Sequence, residues 1–466
     1  MILVEIVSDI HYHNSGILQK TRYILPEEVV DISTWCDFTR DKIRGDDPMG
    51  KHIVDEAKRC LQCKNPRCVK GCPISTPIPE MIDLLLEGSI HEAGEKLFKN
   101  NPLSLVCSLV CPHEKQCEGH CILGTKSNPV QISSIENYIS DYSLDVMDLK
   151  AEEKLQGNIG IIGSGPAGIT IAFILALKGY SVTIFEAHDQ IGGVLRYGIP
   201  EFRLSKDILS RLKDKLVELG VVIRPNTLIG PVITLEDLFR DGFDAVFIGT
   251  GVWKPRKLNI KGESLGHVHY AIDYLKNPEV YDLGEKVYVI GAGNVAMDVA
   301  RTALRKGAKE VTIMYRKGME DIPAREYELE YAKIDGVKFE LYKSPVEITK
   351  EGLVYVETEK VMDGEKEKLV TKDDSEGLFP CDSVIIAISQ GPKANIVNNS
   401  KGIETDLRGL VVTDDAGRTT REGVFASGDV VTGAKTVVEA VRYSKDVAEA
   451  IHEYVSGKYK NMNEGQ

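Results

Sequence analysis

The sequence lacks the marks of several large protein classes. Basic residues do not outnumber acidic ones: 57 Lys and Arg stand against 70 Asp and Glu, and the net charge is −13. Because a phosphate backbone attracts an excess of positive charge, this balance argues against a nucleic acid partner. Low-complexity, collagen-like and heptad patterns are also missing, and 466 residues with 42% hydrophobic side chains are typical of about three globular domains.

Neither an export leader nor a membrane span is expected from the sequence. The start MILVEIVSDI has no basic region and reaches Glu5 after four residues, which is untypical of a secretory signal. Residues 158–177 carry no charge and are long enough to span a bilayer, but the run contains Gly163, Gly165, Pro166 and Gly168. Such punctuation favours a strand, a tight turn and a helix. We therefore expect a cytoplasmic protein that does not enter a membrane.

Cysteine is nearly absent from the last three quarters of the chain. Nine of the ten cysteines lie in the first 121 residues, and Cys381 stands alone. In a chain without an export signal, clustered thiols favour metal ligation over disulfides. Short helical periodicities surround them up to about residue 150. We therefore predict a helical metal-binding domain over residues 1–150.

The spacing of the cysteines favours iron-sulfur clusters over zinc. The first run opens with CxxC and closes with CxxxCP, which is close to the bacterial ferredoxin arrangement, whereas CxxC pairs alone also suit zinc. Two 4Fe-4S clusters need eight ligands, and the two runs supply seven. Cys107 or a carboxylate could supply the eighth. The seven candidate ligands are Cys60, Cys63, Cys68, Cys72, Cys111, Cys117 and Cys121.

After residue 150, apolar strand-like runs alternate with helical patterns, and part of this pattern repeats. NIGIIGSGPAG, SVTIFEA and DAVFIGTG recur in the same order as KVYVIGAGNVA, EVTIMYRK and DSVIIAIS. The repeat predicts an α/β protein with two Rossmann-like nucleotide-binding domains, the second inserted into the first. The expected boundaries are 151–280 and 395–466 for the two parts of the first nucleotide-binding domain, and 281–394 for the second.

The first nucleotide motif is a complete Rossmann start. Gly163 suits the tight turn, Gly165 allows close approach of a pyrophosphate, and Gly168 allows the helix to pack on the strand. Glu186 ends the next strand, where an acid can accept hydrogen bonds from a ribose. The remaining residues of the motif are Pro166 and Ala167.

The second nucleotide motif differs at the corresponding strand end. GAGNVAMD places Gly291 and Gly293 in the first two glycine positions. Tyr315 takes the place of the acid, and Arg316 and Lys317 follow. Two cations without a neighbouring acid favour a ribose 2′-phosphate, so this site should prefer NADP(H), although solvated surface cations are the alternative.

A third motif lies near the end of the chain. Gly428 and Asp429 follow the apolar run GVFA, and an acid at such a strand end can bind a ribityl hydroxyl of a flavin. The helical pattern that follows could direct its amino end at the flavin. The alternative is an ordinary helix cap.

These motifs together resemble a known family. The cysteine run, GSGPAG, GGVLRYGIPEFRLSK, GAGNVAMD, YRK and ASGDVVTGAKTVVEA are similar to the small subunit of NADPH-dependent glutamate synthase. They resemble equally the large subunit of NADH-dependent ferredoxin:NADP oxidoreductase and the amino-terminal part of dihydropyrimidine dehydrogenase. Ser389 and Ser444 depart from this pattern, since relatives commonly have glycine there.

The resemblance implies which residues hold the groups. It assigns Cys60, Cys63, Cys68 and Cys121 to one cluster and Cys72, Cys111 and Cys117 to the other. It makes Glu136 the eighth ligand and Cys107 a bystander, and it leaves Arg325 as a loose candidate for a phosphate contact. The residues implied for FAD are Glu186, Gly193, Arg203, Asp429 and Thr436, and those implied for NADPH are Asn294, Arg316 and Lys317. Gly251, in DAVFIGTG, is a further candidate for cofactor binding.

The resemblance also implies the function. NADPH would pass hydride to FAD, and single electrons would then reach two 4Fe-4S clusters and a second redox subunit in a hetero-oligomer, with no catalytic side chain of its own. That partner would be like the glutamate synthase large subunit. A bifurcating transhydrogenase with a ferredoxin/NAD reductase subunit, or a pyrimidine reductase, is the alternative. A non-enzymatic iron-sulfur scaffold is a further alternative, and Glu186 and Asp429 count against it.

Overall fold

The computed structural model describes residues 48–151, 153–364 and 366–464. The start of the chain and the rest of the first 47 residues of the expected metal-binding domain lie outside the described residues. By their internal contacts, Met1–His52 and Ile53–Gln466 form two units.

The cysteine-rich part is helical, as the sequence predicts. Apolar residues recur at helical spacing in IPEMIDLLL, and Met81, Ile82 and Leu85 are buried in a core that Ile135 and Ile139 share. The seven candidate ligand cysteines lie at helix ends and in the turns between helices, whereas Cys107 lies within α5. The helices are α1 (Pro48–Ala57), α2 (Arg67–Gly71), α3 (Ile78–Leu86), α4 (Ile90–Asn100), α5 (Ser104–Val110) and α6 (Ile132–Val146).

The first nucleotide fold begins at residue 158. Helix α7 is apolar on every side because it packs between the sheet and the last helix of the chain, and Phe173 is fully buried there. The elements are β1 (Asn158–Ile162), α7 (Pro166–Leu177), β2 (Ser181–Phe185), α8 (Val194–Tyr197), α9 (Lys206–Glu218), β3 (Val222–Arg224), α10 (Leu235–Arg240), β4 (Ala245–Ile248) and β5 (Lys254–Pro255).

The second nucleotide fold follows. Its edge strand, Val268–Tyr270, pairs in parallel with residues 384–386. The second sheet therefore begins before residue 281, and this favours an earlier domain boundary than the expected one. The elements are β6 (Val268–Tyr270), α11 (Ala271–Lys276), β7 (Lys286–Ile290), α12 (Asn294–Arg305), β8 (Glu310–Tyr315), α13 (Glu326–Ile334) and β9 (Lys338–Leu341).

An antiparallel sheet, which none of the sequence motifs predicts, interrupts the second fold. Tyr355 and Phe379 face each other across neighbouring strands with ring centroids 4.2 Å apart, and Tyr288 of β7 stacks on the same Phe379 at 4.9 Å. These rings pack the extra sheet onto the second fold. The strands are β10 (Lys343–Ile348), β11 (Gly352–Asp363), β12 (Lys366–Thr371) and β13 (Gly377–Pro380).

The chain then returns to the first fold. Strand β15 pairs antiparallel with β5, so the two connections between the folds run side by side. Strand β16 pairs in parallel with β4, which confirms that the tail completes the first fold. The last elements are β14 (Ser383–Ile386), β15 (Gln390–Gly391), α14 (Asn395–Asn398), β16 (Val424–Ala426), α15 (Asp429–Thr432) and α16 (Val437–Glu464).

The two parallel sheets have matching strand orders. The first is β16-β4-β1-β2-β3 and the second is β6-β14-β7-β8-β9. Each places a glycine-rich turn after its central strand. The predicted fold class, an α/β protein with one nucleotide fold inserted into another behind a helical domain, is confirmed. Among the described helices, none combines the length and the hydropathy that crossing a lipid bilayer requires.

Candidate functional site

The turn between β1 and α7 forms an open cradle. A side chain at Gly163, whose φ is +94°, would come within 2.7 Å of the Gly249 carbonyl oxygen. A side chain at Gly168 would meet the Gly163 carbonyl oxygen at 2.0 Å, so strand and helix pack too closely for one. By contrast, nothing lies within 4 Å of a Cβ built on Gly165. The amino end of α7 therefore faces free space of the kind that a pyrophosphate fills.

Glu186 follows β2 and closes one side of this cradle. Its side chain is buried, and it accepts hydrogen bonds from the Ser164 backbone amide (3.0 Å) and hydroxyl, and from the His188 amide (2.8 Å) and Nδ1 (2.9 Å). Burial alone would raise the pKa of this carboxyl, but the hydrogen bonds from His188 and Ser164 outweigh it and hold the pKa below its usual range. Glu186 is therefore an ionised acceptor beside the turn, as ribose recognition requires.

Two further glycines implied for FAD meet the same turn. A Cβ on Gly193 would lie 2.8 Å from the Gly165 Cα, and a Cβ on Gly428 would lie 3.1 Å from the Ala167 Cβ. Three distant segments of the sequence therefore converge on one cradle. Gly251, at the exit of β4, has the Trp253 ring nitrogen as its nearest neighbour, at 3.6 Å from a built Cβ.

The segment from Asp429 to the start of α16 contains two further residues implied for FAD. Burial raises the pKa of Asp429 to about 6, and its carboxylate accepts a hydrogen bond from the Lys435 amide (3.1 Å). Thr436 precedes α16 and exchanges hydrogen bonds with Glu439, which is a capping box. Asp429 is thus a half-buried acid with unused acceptor capacity, whereas Thr436 already has a structural role.

The second cradle repeats the geometry of the first. A Cβ on Gly291 would lie 2.4 Å from the Ala387 carbonyl oxygen, whereas nothing lies within 4 Å of a Cβ on Gly293. Asn294 begins α12 and is exposed at the rim of this space, and its Oδ1 accepts a hydrogen bond from the Arg325 amide (2.8 Å).

The cations predicted for the 2′-phosphate follow β8. Arg316 is exposed and Lys317 is half-buried. Neither takes part in any of the ion pairs within the described residues, although those residues are rich in such pairs. The Tyr315 hydroxyl donates to the Asp321 carbonyl oxygen (3.0 Å). The rim of the second cradle therefore presents positive charge where the first presents Glu186.

Four cysteines line one cavity in the helical domain. It measures about 110 Å³ and its walls are mostly apolar, with Ile82 among them. Burial, together with the neighbouring sulfurs of Cys121 and Cys60, raises the pKa of the Cys68 thiol to about 11. Such thiols ionise together only where a cationic group lies among them. The four are Cys60, Cys63, Cys68 and Cys121.

A second group surrounds the end of α5. The pKa of Cys111 lies well above its usual value because of a hydrogen bond with Cys107, burial and the charge of Glu136. Burial, Glu136 and Cys72 among others raise the pKa of Cys117. The structure therefore brings together every residue implied for the second cluster, and it also brings Cys107 beside Cys111.

Glu136 is a buried acid without a cationic partner among the described residues. It projects from α6, its side chain is 6% exposed, and the Ser104 hydroxyl donates to it (2.7 Å). Burial raises its pKa to about 7. No three Cys, His, Asp or Glu side chains in the described part of the chain converge as a single metal ion requires. Separated sulfurs and a carboxylate fit the corners of a cluster better than the ligand shell of one ion.

Known proteins share both halves of this arrangement. Residues 157–444 match the family model of pyridine nucleotide-disulphide oxidoreductases. The chain belongs to the pyridine nucleotide-disulphide oxidoreductase family. Residues 46–147 match the model described as dihydropyrimidine dehydrogenase domain II, 4Fe-4S cluster. The protein is therefore an oxidoreductase that uses FAD and NADPH and carries a 4Fe-4S domain.

Individual relatives of this oxidoreductase extend the likeness. The glutamate synthase [NADPH] small chain of Escherichia coli is 33% identical over 85% of this chain and 90% of its own length. The NADP(+)-dependent formate dehydrogenase subunit beta of Moorella thermoacetica is 33% identical over 83% of this chain and 60% of its own. FprA of Mycobacterium tuberculosis in complex with NADPH has the same fold, with a TM-score of 0.56 and 20% identity over 66% of this chain and 86% of its own.

Two predicted contacts of the oxidoreductase have other partners in the structure. Arg203 forms ion pairs across the two nucleotide folds with Asp298 (2.6 Å) and Glu328 (2.8 Å). Arg325 donates to the carbonyl oxygens of Val110 (2.8 Å) and Cys111 rather than standing free for a phosphate. Neither contact carries a sequence signal, because each joins segments that are far apart in the chain.

Proposed function

We propose that this chain is the electron-input subunit of a larger redox enzyme, similar to the small subunit of glutamate synthase. In this proposal NADPH binds the second fold, FAD binds the first, and the helical domain holds two 4Fe-4S clusters that serve a partner subunit like the glutamate synthase large subunit. The observation that carries it is the pair of open cradles with opposite charge at their rims, Glu186 at one and Arg316 with Lys317 at the other.

The chain's own residues bind and orient in this scheme. The amino ends of α7 and α12 would each face a pyrophosphate, and Glu186 would accept hydrogen bonds from a ribose of FAD. Asp429 supplies a half-buried acceptor at the start of α15. When bound, FAD supplies the chemistry of taking a hydride from NADPH and releasing electrons one at a time.

The cysteine groups support two clusters. Cys60, Cys63, Cys68 and Cys121 share one cavity and would hold the first. The second would be held by Cys72, Cys111, Cys117 and Glu136, which lie within electrostatic reach of one another. The domain limits that we propose keep residues up to about 150 as the cluster domain and residues 395–466 as the second part of the first fold. The second fold is inserted into the first, and it begins at β6 rather than at the expected boundary of 281.

A partner subunit is supported by the names of the relatives. The Escherichia coli relative is a small chain and the Moorella thermoacetica relative is a subunit beta. Each name refers to one component of an assembly. We infer a hetero-oligomer in which electrons pass between this chain and a second redox subunit.

The content of iron and sulfide tests the cluster assignment. Anaerobically purified protein should hold about eight iron and eight acid-labile sulfide per chain, as two cubanes require. Stoichiometric zinc without iron would overturn the proposal. A content of about four iron atoms per chain would show that the chain holds one cluster rather than two.

Two matched variants test the eighth ligand. Glu136→Ala should lose or alter one cluster, seen as loss of iron and a changed electron paramagnetic resonance spectrum after reduction. Cys107→Ala should keep both clusters, because the thiol then serves only as a neighbour of Cys111. The reverse pattern would make Cys107 the ligand.

A further inference from the structure

Arg325 joins the second nucleotide fold to the cluster domain. It stands directly before α13, and its side chain is 11% exposed. One guanidinium nitrogen donates to the carbonyl oxygens of Val110 (2.8 Å) and Cys111. These carbonyls lie at the carboxyl end of α5, where a helix leaves its last oxygens without partners. A cation is favourable at that position because the helix end carries partial negative charge.

The same residue contacts the second cradle. Its backbone amide donates to Oδ1 of Asn294, the first residue of α12. The amino end of α12 forms the cradle for the nicotinamide nucleotide. Arg325 therefore connects the nucleotide cradle, through two hydrogen-bonded groups, with the loop that begins at Cys111.

The guanidinium of Arg325 lies between Glu328 and the end of α5. One of its nitrogens donates to Oε1 of Glu328 (2.7 Å), which is 3% exposed, and another donates to the Val110 and Cys111 carbonyl oxygens. Arg203 and Arg301 also contact Glu328, but each has a further carboxylate partner, Asp298 and Asp335. The positive end of the Arg325–Glu328 pair therefore faces the end of α5, in a buried setting where charges are weakly screened.

We propose that Arg325 is a positioning residue that holds the Cys111 loop against the NADPH domain and raises the reduction potential of the cluster at that loop. The inference rests on the proposed function, in which Cys111 is a cluster ligand. Reduction adds a negative charge to a cluster, and a buried cation beside it stabilises that charge. Net charge and hydrogen bonds near the ligands are among the main determinants of such potentials.

A redox titration followed by electron paramagnetic resonance tests the inference. Arg325→Gln should lower the midpoint potential of one cluster by about 59 mV, which is a tenfold change in a one-electron equilibrium constant. The other cluster should keep its potential. Arg325→Lys retains the charge without the planar fork and should restore much of the loss. Amide hydrogen exchange over residues 107–117 should be faster in the Gln variant, because the loop loses its anchor.

Arg305→Gln is the matched control. It removes one positive charge from the same domain, but Arg305 pairs with Asp335 and lies over the Phe202 ring instead of contacting α5. It should leave both potentials unchanged. An unchanged potential in Arg325→Gln, or an equal shift in the control, overturns the inference.

Iron and sulfide content separates this inference from the proposed function. Wild-type protein without clusters would contradict the proposed function itself. Loaded clusters without a shift would contradict only the role of Arg325. If the Gln variant fails to retain its clusters, the Lys variant is titrated instead. The Lys variant retains the positive charge. A shift of its cluster midpoint potential from the wild-type value by as much as the tenfold change expected for the Gln variant would then contradict the electrostatic role.

Discussion

The two nucleotide folds of this chain have the same strand order and the same glycine-rich turn, yet they differ at one strand end. After β2 the chain places Glu186, buried and held by four hydrogen-bond donors. After β8 it places Arg316 and Lys317, which form no ion pair within the described residues. We propose that the backbone of each fold provides a general cradle for a pyrophosphate, whereas the residues after the second strand of each fold select the nucleotide.

The folds differ again at the exit of the strand beside the central one. Gly251 follows β4 with a φ of +66°, and Ser389 occupies the equivalent place after β14 with a φ of +89°. Only glycine adopts this conformation without steric cost. The second fold therefore carries local strain next to β15, where the chain crosses back to the first fold.

Blocking each cradle separately should give the largest effects. Gly165→Val and Gly293→Val place a side chain in open space, on backbones that are extended and suit any residue. We expect Gly165→Val to lose bound FAD, with about 4 kcal/mol or more of binding free energy removed along with the pyrophosphate hydrogen bonds. Gly293→Val should keep FAD and lose reduction by NADPH. Flavin absorbance of the purified protein, before and after NADPH, measures both.

Gly266→Val is the control for this pair. Gly266 also has open space around a built Cβ and an ordinary φ, but it lies outside both cradles. It should keep FAD and its reduction by NADPH. Equal loss of FAD in Gly165→Val and Gly293→Val would remove the division of labour between the folds.

Removing the two cations should have the next largest effect. Replacing Arg316 and Lys317 by Ala should cost roughly 2 to 4 kcal/mol of NADPH binding, because charge-assisted hydrogen bonds are lost. In steady-state kinetics the KM for NADPH should rise roughly 30- to 700-fold, while the KM for NADH stays nearly constant. Lys306→Ala, at an exposed cation that pairs with Glu279, is the control and should change neither value. Equal losses with both nucleotides would show that the cations bind something other than the 2′-phosphate.

Relieving the strain at residue 389 should have the smallest effect. Ser389→Gly removes about 1 to 2 kcal/mol of left-handed strain but adds about 0.5 to 1 kcal/mol of entropy to the unfolded chain. The net gain in the free energy of unfolding should be about 0.5 to 1 kcal/mol in denaturant titrations. Ser389→Ala keeps a Cβ and should bring no gain. A gain of equal size in the Ala variant would mean that the serine hydroxyl, rather than its backbone, is the source.

Local patterns predicted the order of the folds well. The glycine spacings and the strand-end residues are short-range signals, since turn geometry and helix starts depend on neighbouring residues. They located both cradles, and the repeat located the insertion. The hairpin of β11 and β12 was missed although it has a signal, the Asp-Gly dipeptide at 363–364 between two strand-like runs.

Contacts between domains could not be predicted from local sequence patterns. Arg203 stays a predicted FAD residue because its motif resembles the family, and no local pattern indicates that its guanidinium pairs with Asp298 and Glu328, about a hundred residues away. Arg325 likewise reaches Cys111. Such pairs depend on how whole domains pack, and no local spacing encodes that.

The most direct test of the account follows electrons through a variant that lacks one cluster ligand. FAD-replete Cys72→Ala protein, in complex with the subunit that copurifies with it, is mixed anaerobically with NADPH in a stopped-flow instrument. The account predicts flavin bleaching at the native rate, continued reduction of a small dye that takes electrons from flavin, and loss of electron delivery to the partner. Delivery to the partner at the native rate would contradict the claim that the clusters lie on the path.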